Sequence, residues 1–131
     1  ILPDSFITCD FMLTRLTNLT ENLLVYPQNM MKNLNLTGGL VFSQRVLLEL
    51  PLKGISRENA YKIVQRNAMK VWADLQNGKK VVNEKGESLF LQALLSDDEL
   101  KANLSEKDIQ NCFDYSYYTK NVNAIFERVF D

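Results

Sequence analysis

The apolar positions fall almost everywhere at spacings of three and four, the period of an amphipathic helix. From Leu2 to Tyr26 they recur at Cys9, Met12, Leu16, Leu19, Leu23 and Tyr26, which predicts one helix with these residues on a single stripe. Pro3 stands where a first helical turn tolerates proline, and Pro27 is expected to end the pattern. Phe6, Leu13 and Leu24, with Ile7 and Phe11 nearby, widen the apolar surface beyond one face. Such a helix requires neighbours on several sides. The next elements are a short helix near Gln28–Leu36, a break at Thr37-Gly38-Gly39, and a helix over Leu40–Leu50 closed by Pro51 and Gly54. Val41, Val46, Leu47, Leu48 and Leu50 are its expected core residues.

Ser56 opens S-R-E-N as an N-cap followed by Glu58 in the first turn. Ala60, Val64, Ala68, Val71 and Leu75 then mark a helix of about five turns, with Trp72 beside the stripe. Residues 77–88 are polar, contain two glycines, and read as a loop or a small hairpin around Val81–Val82. Short helices follow, with Ser88 ahead of Leu89–Leu95, Ser96 ahead of Asp97–Ala102 and Ser105 ahead of Glu106–Phe113. Asp114 caps a turn holding Tyr115, Tyr117 and Tyr118. A last helix over Asn121–Phe130 places Val122, Ile125, Phe126 and Val129 on its apolar side. The fold class is therefore all-α: the end of a long bundle helix, then a compact multi-helix domain.

Charge sharpens this division. Residues 1–56 hold 8 charged side chains, whereas residues 57–131 hold 23, so the first part reads as interior of a larger bundle or as an oligomer interface. An ordinary central helix wrapped by its own domain is the alternative. At 131 residues with a formal net charge of −1, the chain has the size of one globular domain and no basic footprint for nucleic acid or an anionic membrane. Its longest apolar run, Leu23 to Tyr26, is far below the roughly 20 residues of a membrane-spanning helix. The start Ile1-Leu2-Pro3-Asp4 has neither Met nor the features of a signal peptide and reads as a cut end. Cys9 and Cys112 lack CxxC spacing, which predicts reduced, partly buried thiols and a cytoplasmic location.

Candidate chemistry is sparse. The sequence has no histidine, which excludes His-dependent triads and most zinc sites within this chain. Asp97-Asp98-Glu99 reads as a helix N-terminal cap rather than a metal or acid/base site. Thr37-Gly38-Gly39 lacks P-loop and dinucleotide spacing and reads as a turn. Tyr115, Tyr117 and Tyr118 lack the basic neighbours of a base-stacking platform and read as a packed corner. The N-x-S/T triplets at Asn18, Asn35 and Asn103 have no secretory context. Arg45, Arg57, Arg66 and Arg128 are assigned to structural ion pairs. No catalytic residue, metal ligand or cofactor follows from the residues alone.

Four ordered stretches carry a resemblance. V-Y-P-Q-N-M-M-K-N-L-N-L-T-G-G-L-V-F-S-Q-R-V-L-L (Val25 to Leu48), G-I-S-R-E-N-A-Y-K-I-V-Q-R-N-A-M-K-V-W (Gly54 to Trp72), L-S-E-K-D-I-Q-N-C-F-D-Y (Leu104 to Tyr115) and N-V-N-A-I-F-E-R-V-F (Asn121 to Phe130) resemble the C-terminal part of the adenylosuccinate lyases, of the fumarase/aspartase superfamily. With I-L-P-D-S-F, the resemblance spans nearly everything except residues 77–88. It implies a homotetrameric cytoplasmic enzyme that releases fumarate by β-elimination from adenylosuccinate and from succinylated aminoimidazole carboxamide ribotide. The implied partners are the remainder of the subunit and its copies. The family's serine base, on its mobile signature loop, and its histidines match no position here, so no catalytic residue carries over and substrate-binding residues stay unassigned. Residues 1–26 would end the central bundle helix and residues 27–131 would form the C-terminal helical domain. Pro51, the 77–88 insertion and Asn123, where the family has Asp, are departures. A non-catalytic helical module reusing this domain, and another lyase of the superfamily, remain as alternatives.

Overall fold

A computed structural model describes residues 1–130. It is all-α, and among the described residues the one pairing of extended segments is an isolated antiparallel bridge between Val82 and Ser88. The helices are α1 (Leu2–Glu21), α2 (Pro27–Asn35), α3 (Ser43–Leu52), α4 (Arg57–Gln76), α5 (Leu89–Leu95), α6 (Asp98–Lys101), α7 (Glu106–Asn111), α8 (Ser116–Thr119) and α9 (Val122–Phe130), with a 3-10 turn at Leu40–Phe42. The chain separates into two compact units, Ile1–Met31 and a second beginning at Lys32, and the division falls within α2.

In the first unit, α1 is shorter than the apolar pattern predicts. The Asn22 side-chain amide and backbone N–H both donate to the Asn18 carbonyl, at 2.8 and 3.2 Å. Leu23 then turns onto Thr20, so the helix stops at Glu21 although the apolar spacing continues. Pro27 likewise begins α2 rather than merely ending α1. Its missing N–H is harmless in a first turn, and the Tyr26 carbonyl accepts from Met30. No residue of α1 is buried, so Cys9 is an exposed thiol rather than the partly buried one expected.

The second unit is built on α4. Ser56 caps it by accepting from the Asn59 N–H at 3.3 Å. Its face of Ala60, Ile63, Val64 and Val71 is buried with Val46 and Leu50 of α3 and with Phe90 and Leu94 of α5. Leu100, Leu104, Ile109 and Cys112 extend the same core. Of the residues expected inside, Ala68 and Leu75 are only partly buried, and Trp72, beside the stripe, is exposed. Leu47 of α3 is partly buried, but Leu48 of the same helix is 56% exposed, and Val41, in the 3-10 turn ahead of it, is 46% exposed. The Val46/Leu50 row of that helix is fully buried in the core shared with α4, with Leu47 at its edge, because one helix face suffices for a two-helix contact. Pro51 lies inside the last turn of α3 instead of ending it. The helix closes two residues later as Lys53 and Gly54 N–H groups turn back onto Leu50 and Pro51, with Gly54 at φ +90°.

Residues 77–88 form the small hairpin anticipated as one option. Asn83 Oδ1 accepts from the Lys85 and Glu87 N–H groups, both at 2.9 Å, and ties the turn. The cap of α6 is Asp97, not Ser96. Ser96 instead donates to the Gln92 carbonyl at the end of α5, so its oxygen serves the preceding helix. α7 stops at Asn111 and α9 starts at Val122, each slightly inside the predicted limits.

The Thr37-Gly38-Gly39 break locks α5 against the start of α3. The Gly38 carbonyl accepts from Phe90 N–H at 2.9 Å. Gly39 sits at φ +90°, and a Cβ placed there would lie 2.3 Å from Ser88 Oγ, the N-cap of α5. Gly39→Ala should therefore destabilise the protein by about 2 kcal/mol or more, from backbone strain and a displaced cap. Gly54→Ala, at the same φ but with nothing within 4 Å, should carry only the backbone cost, and urea unfolding of the two variants compares them.

Candidate functional site

The polar side chains gather at helix ends, and their geometry is that of fasteners. Asp97 is the centre of the largest cluster. Its Oδ1 accepts from the Glu99 and Leu100 N–H groups at 3.1 and 3.2 Å. Its Oδ2 accepts from Arg66 Nη2 and from Asn67 Nδ2, both at 2.7 Å. Asn67 is buried, and its amide also donates to the Ile63 carbonyl at 2.9 Å. Arg66 makes a second ion pair, to Glu99 at 3.0 Å. One carboxylate thus caps α6 and pins it to the middle of α4. The acidic run acts as the cap expected of it, through Asp97, while Asp98 pairs only with Lys101 at 3.3 Å. The contribution of Asn67 was hidden in the sequence. Its one signal is its position four residues after Ile63, on the side of α4 that enters the core.

A second cluster surrounds Tyr117. The guanidinium of Arg45 lies 4.0 Å from the ring centroid and the ammonium of Lys120 4.2 Å from it. Arg45 also pairs with Glu49 at 3.4 Å. Tyr115 packs against Phe42 at 4.9 Å, and its hydroxyl donates to Asn35 Oδ1 at 3.2 Å. Only Tyr115 is packed into the corner expected, which Phe113 closes at 4.9 Å from Phe42. Tyr117 and Tyr118 are exposed, and Tyr117 has, contrary to expectation, the basic neighbours Arg45 and Lys120. Ser105 and Asp108 cap α7 reciprocally: Ser105 Oγ accepts from the Asp108 N–H and donates to its carboxylate, which also meets Lys53 at 3.3 Å. Of the arginines, Arg66 and Arg45 make the ion pairs assigned to them.

None of these groups is arranged as an acid/base pair or a nucleophile with its activating base. Among the described residues, no group of three or more His, Cys, Asp or Glu side chains could hold a metal ion, and no helix is long and apolar enough to cross a membrane. Burial, reinforced by the charge of Glu49, pushes the Cys112 thiol up to about 11, away from the thiolate a nucleophile needs. The surface that stands out is apolar instead. Phe6, Phe11, Met12, Leu13, Leu16, Leu19 and Leu23 of the first unit are all exposed, in a segment with few charges to keep it in water.

A family model described as "Adenylosuccinate lyase C-terminus" matches residues 39–129. The chain belongs to this adenylosuccinate lyase family. Similar proteins named adenylosuccinate lyase include one from Helicobacter pylori strain J99, 66% identical across 98% of this chain and 29% of its own length. Those from Thermotoga maritima and Bacillus subtilis are 44% and 42% identical, each across 98% of the chain and 27% of their own length. The chain thus spans less than a third of the curated relatives it matches. The family match runs through α3 to α9 and includes the Asp97 and Tyr117 clusters; it begins at Gly39 and leaves out α1.

Asp97 supplies a pH test. Burial alone would raise its carboxyl, but the Arg66, Asn67 and Leu100 hydrogen bonds outweigh that and hold it below the ordinary carboxylate range. Its folded-state pKa being depressed, its stabilisation is complete above the unfolded value of about 3.9 and is lost as pH falls through the lower folded value. Asp97→Asn should cost about 1–3 kcal/mol near neutrality and flatten the loss of stability in acid. Thermal unfolding of both proteins between neutrality and strong acid measures this, and parallel pH profiles would show that Asp97 is not the acid-sensitive group. The cysteines should also separate: in the isolated 131-residue chain Cys9 should react with a thiol reagent under native conditions and Cys112, 2% exposed, only on unfolding.

Proposed function

We propose that the chain is the C-terminal part of an adenylosuccinate lyase subunit and serves the release of fumarate by β-elimination from adenylosuccinate and from succinylated aminoimidazole carboxamide ribotide. The observation that carries this reading is the match of 98% of the chain to proteins of that name, at up to 66% identity. Elimination requires removal of a proton beside a carboxylate and protonation of the departing nitrogen. This chain offers no histidine and no convergent acid/base pair, so those steps fall to other segments of the subunit.

The part played by these residues is then architectural. Residues 1–26 end a helix of the central bundle, whose exposed apolar side chains are covered by the remainder of the subunit and by its copies in a homotetramer. Residues 27–131 form the C-terminal helical domain. The assembled enzyme works in the cytoplasm. No cofactor enters this reading.

Two results are expected. The 131-residue chain alone should release no fumarate from adenylosuccinate above the uncatalysed rate, followed by ultraviolet absorbance, whereas the full-length subunit should be active. Turnover by the isolated chain would reverse the assignment of the chemistry to other segments. An inactive full-length protein would leave a non-catalytic helical module. In the full-length protein, Leu16→Asp should abolish assembly and activity together, because it places an unpaired carboxylate in an apolar contact at a cost of several kcal/mol. Unchanged mass in light scattering together with unchanged turnover would exclude an interior position for that residue.

A further inference from the structure

The apolar surface of α1 is two surfaces. The broad one is the stripe through Cys9, Met12, Leu16 and Leu19. The other is small and lies on the far side of the helix, where Ile7 and Phe11 are 69% and 59% exposed. Asp4 stands one turn before Ile7, and Arg15 one turn after Phe11. Spacings of three, four and four put all four residues on one face. The Arg15 guanidinium carbon lies 5.0 Å from the Phe11 ring centroid, so the cation borders the apolar pair. Among the described residues, neither Asp4 nor Arg15 belongs to an ion pair.

This face has a direction that matches its own reversal. Read along the chain it runs acidic, apolar, apolar, basic. A second α1 laid antiparallel across it, about a two-fold axis at the level of residue 9, sets Ile7 against Phe11 in both directions. The same operation brings Asp4 of each helix within about 1.5 Å, one residue's rise, of the level of Arg15 in the other. A long arginine side chain spans that offset, and helices packed about 8–10 Å apart place the groups in reach. An isologous contact needs this self-complementarity, because each residue must meet its partner's counterpart twice. A parallel copy would instead set Asp4 against Asp4 and Arg15 against Arg15.

We propose that the face formed by Asp4, Ile7, Phe11 and Arg15 is an isologous, antiparallel contact with α1 of a second copy of this protein, leaving the broad stripe to other helices. It rests on the reading of the chain as part of a self-assembling subunit and names which residues of α1 meet their own copies.

The test is a charge exchange in the full-length subunit, with assembly followed by sedimentation equilibrium. Asp4→Arg alone and Arg15→Asp alone each place like charges at both ends of the contact, and each should weaken assembly at least about tenfold. Asp4→Arg combined with Arg15→Asp in one chain restores opposite charges at both ends and should recover wild-type assembly within about threefold. A monomeric wild type, single variants with wild-type assembly, or a combined variant that stays dissociated would each overturn the contact. Fumarate release by the wild type is assayed on the same samples. Its absence would count against the lyase reading alone, since the charge exchange decides the contact by mass.

Discussion

Burial of one face of α4 between α3 and α5 is the interaction on which the rest of the helical unit depends. The short helices α5 to α7 have four to seven residues each, too few to be stable in water by themselves. They persist because Phe90, Leu94, Leu100 and Ile109 reach the apolar surface that α4 and α3 create with Ile63, Val64, Val46 and Leu50. The long helix is the template, and the small ones are held by what they bury against it.

Directional contacts then fix the places where short helices would otherwise slide. Asp97 fastens α6 to α4 through four N–H donors. Gly38 and Gly39 let the backbone come close enough to α5 for a hydrogen bond to Phe90 and a close approach to Ser88. Tyr117, between the charges of Arg45 and Lys120, and Tyr115, against Phe42, fasten the corner before α9. These polar groups satisfy one another within the fold. Hence they read as construction rather than chemistry.

α1 obeys a different constraint. Its side chains are apolar on two sides, and none is buried within this chain. Exposed apolar surface of that extent is costly in water, so the helix is built for company, and the order of charges around Ile7 and Phe11 gives that company an orientation.

Much of this was legible in the sequence, since helix formation is local. Three-and-four spacing located α1 and α4, and serines at 56, 88 and 105 marked helix starts because a side-chain oxygen satisfies N–H groups within three residues. The absence of histidine excluded a self-contained triad, and the motif blocks pointed to the lyase family. What the tertiary structure decided was which partner each group met. Leu48 shares α3 with Val46 and Leu50, yet only the latter pair is buried in the core. Asp97 took the cap from Ser96 because α4 presents Arg66 and Asn67 at that point, contacts some thirty residues apart in sequence. Asn22 ended α1 inside a stretch whose apolar period continues. Periodicity records that a residue will be covered; which surface covers it depends on packing between distant segments, where side-chain shape and hydrogen-bond geometry choose among faces that the sequence leaves equivalent.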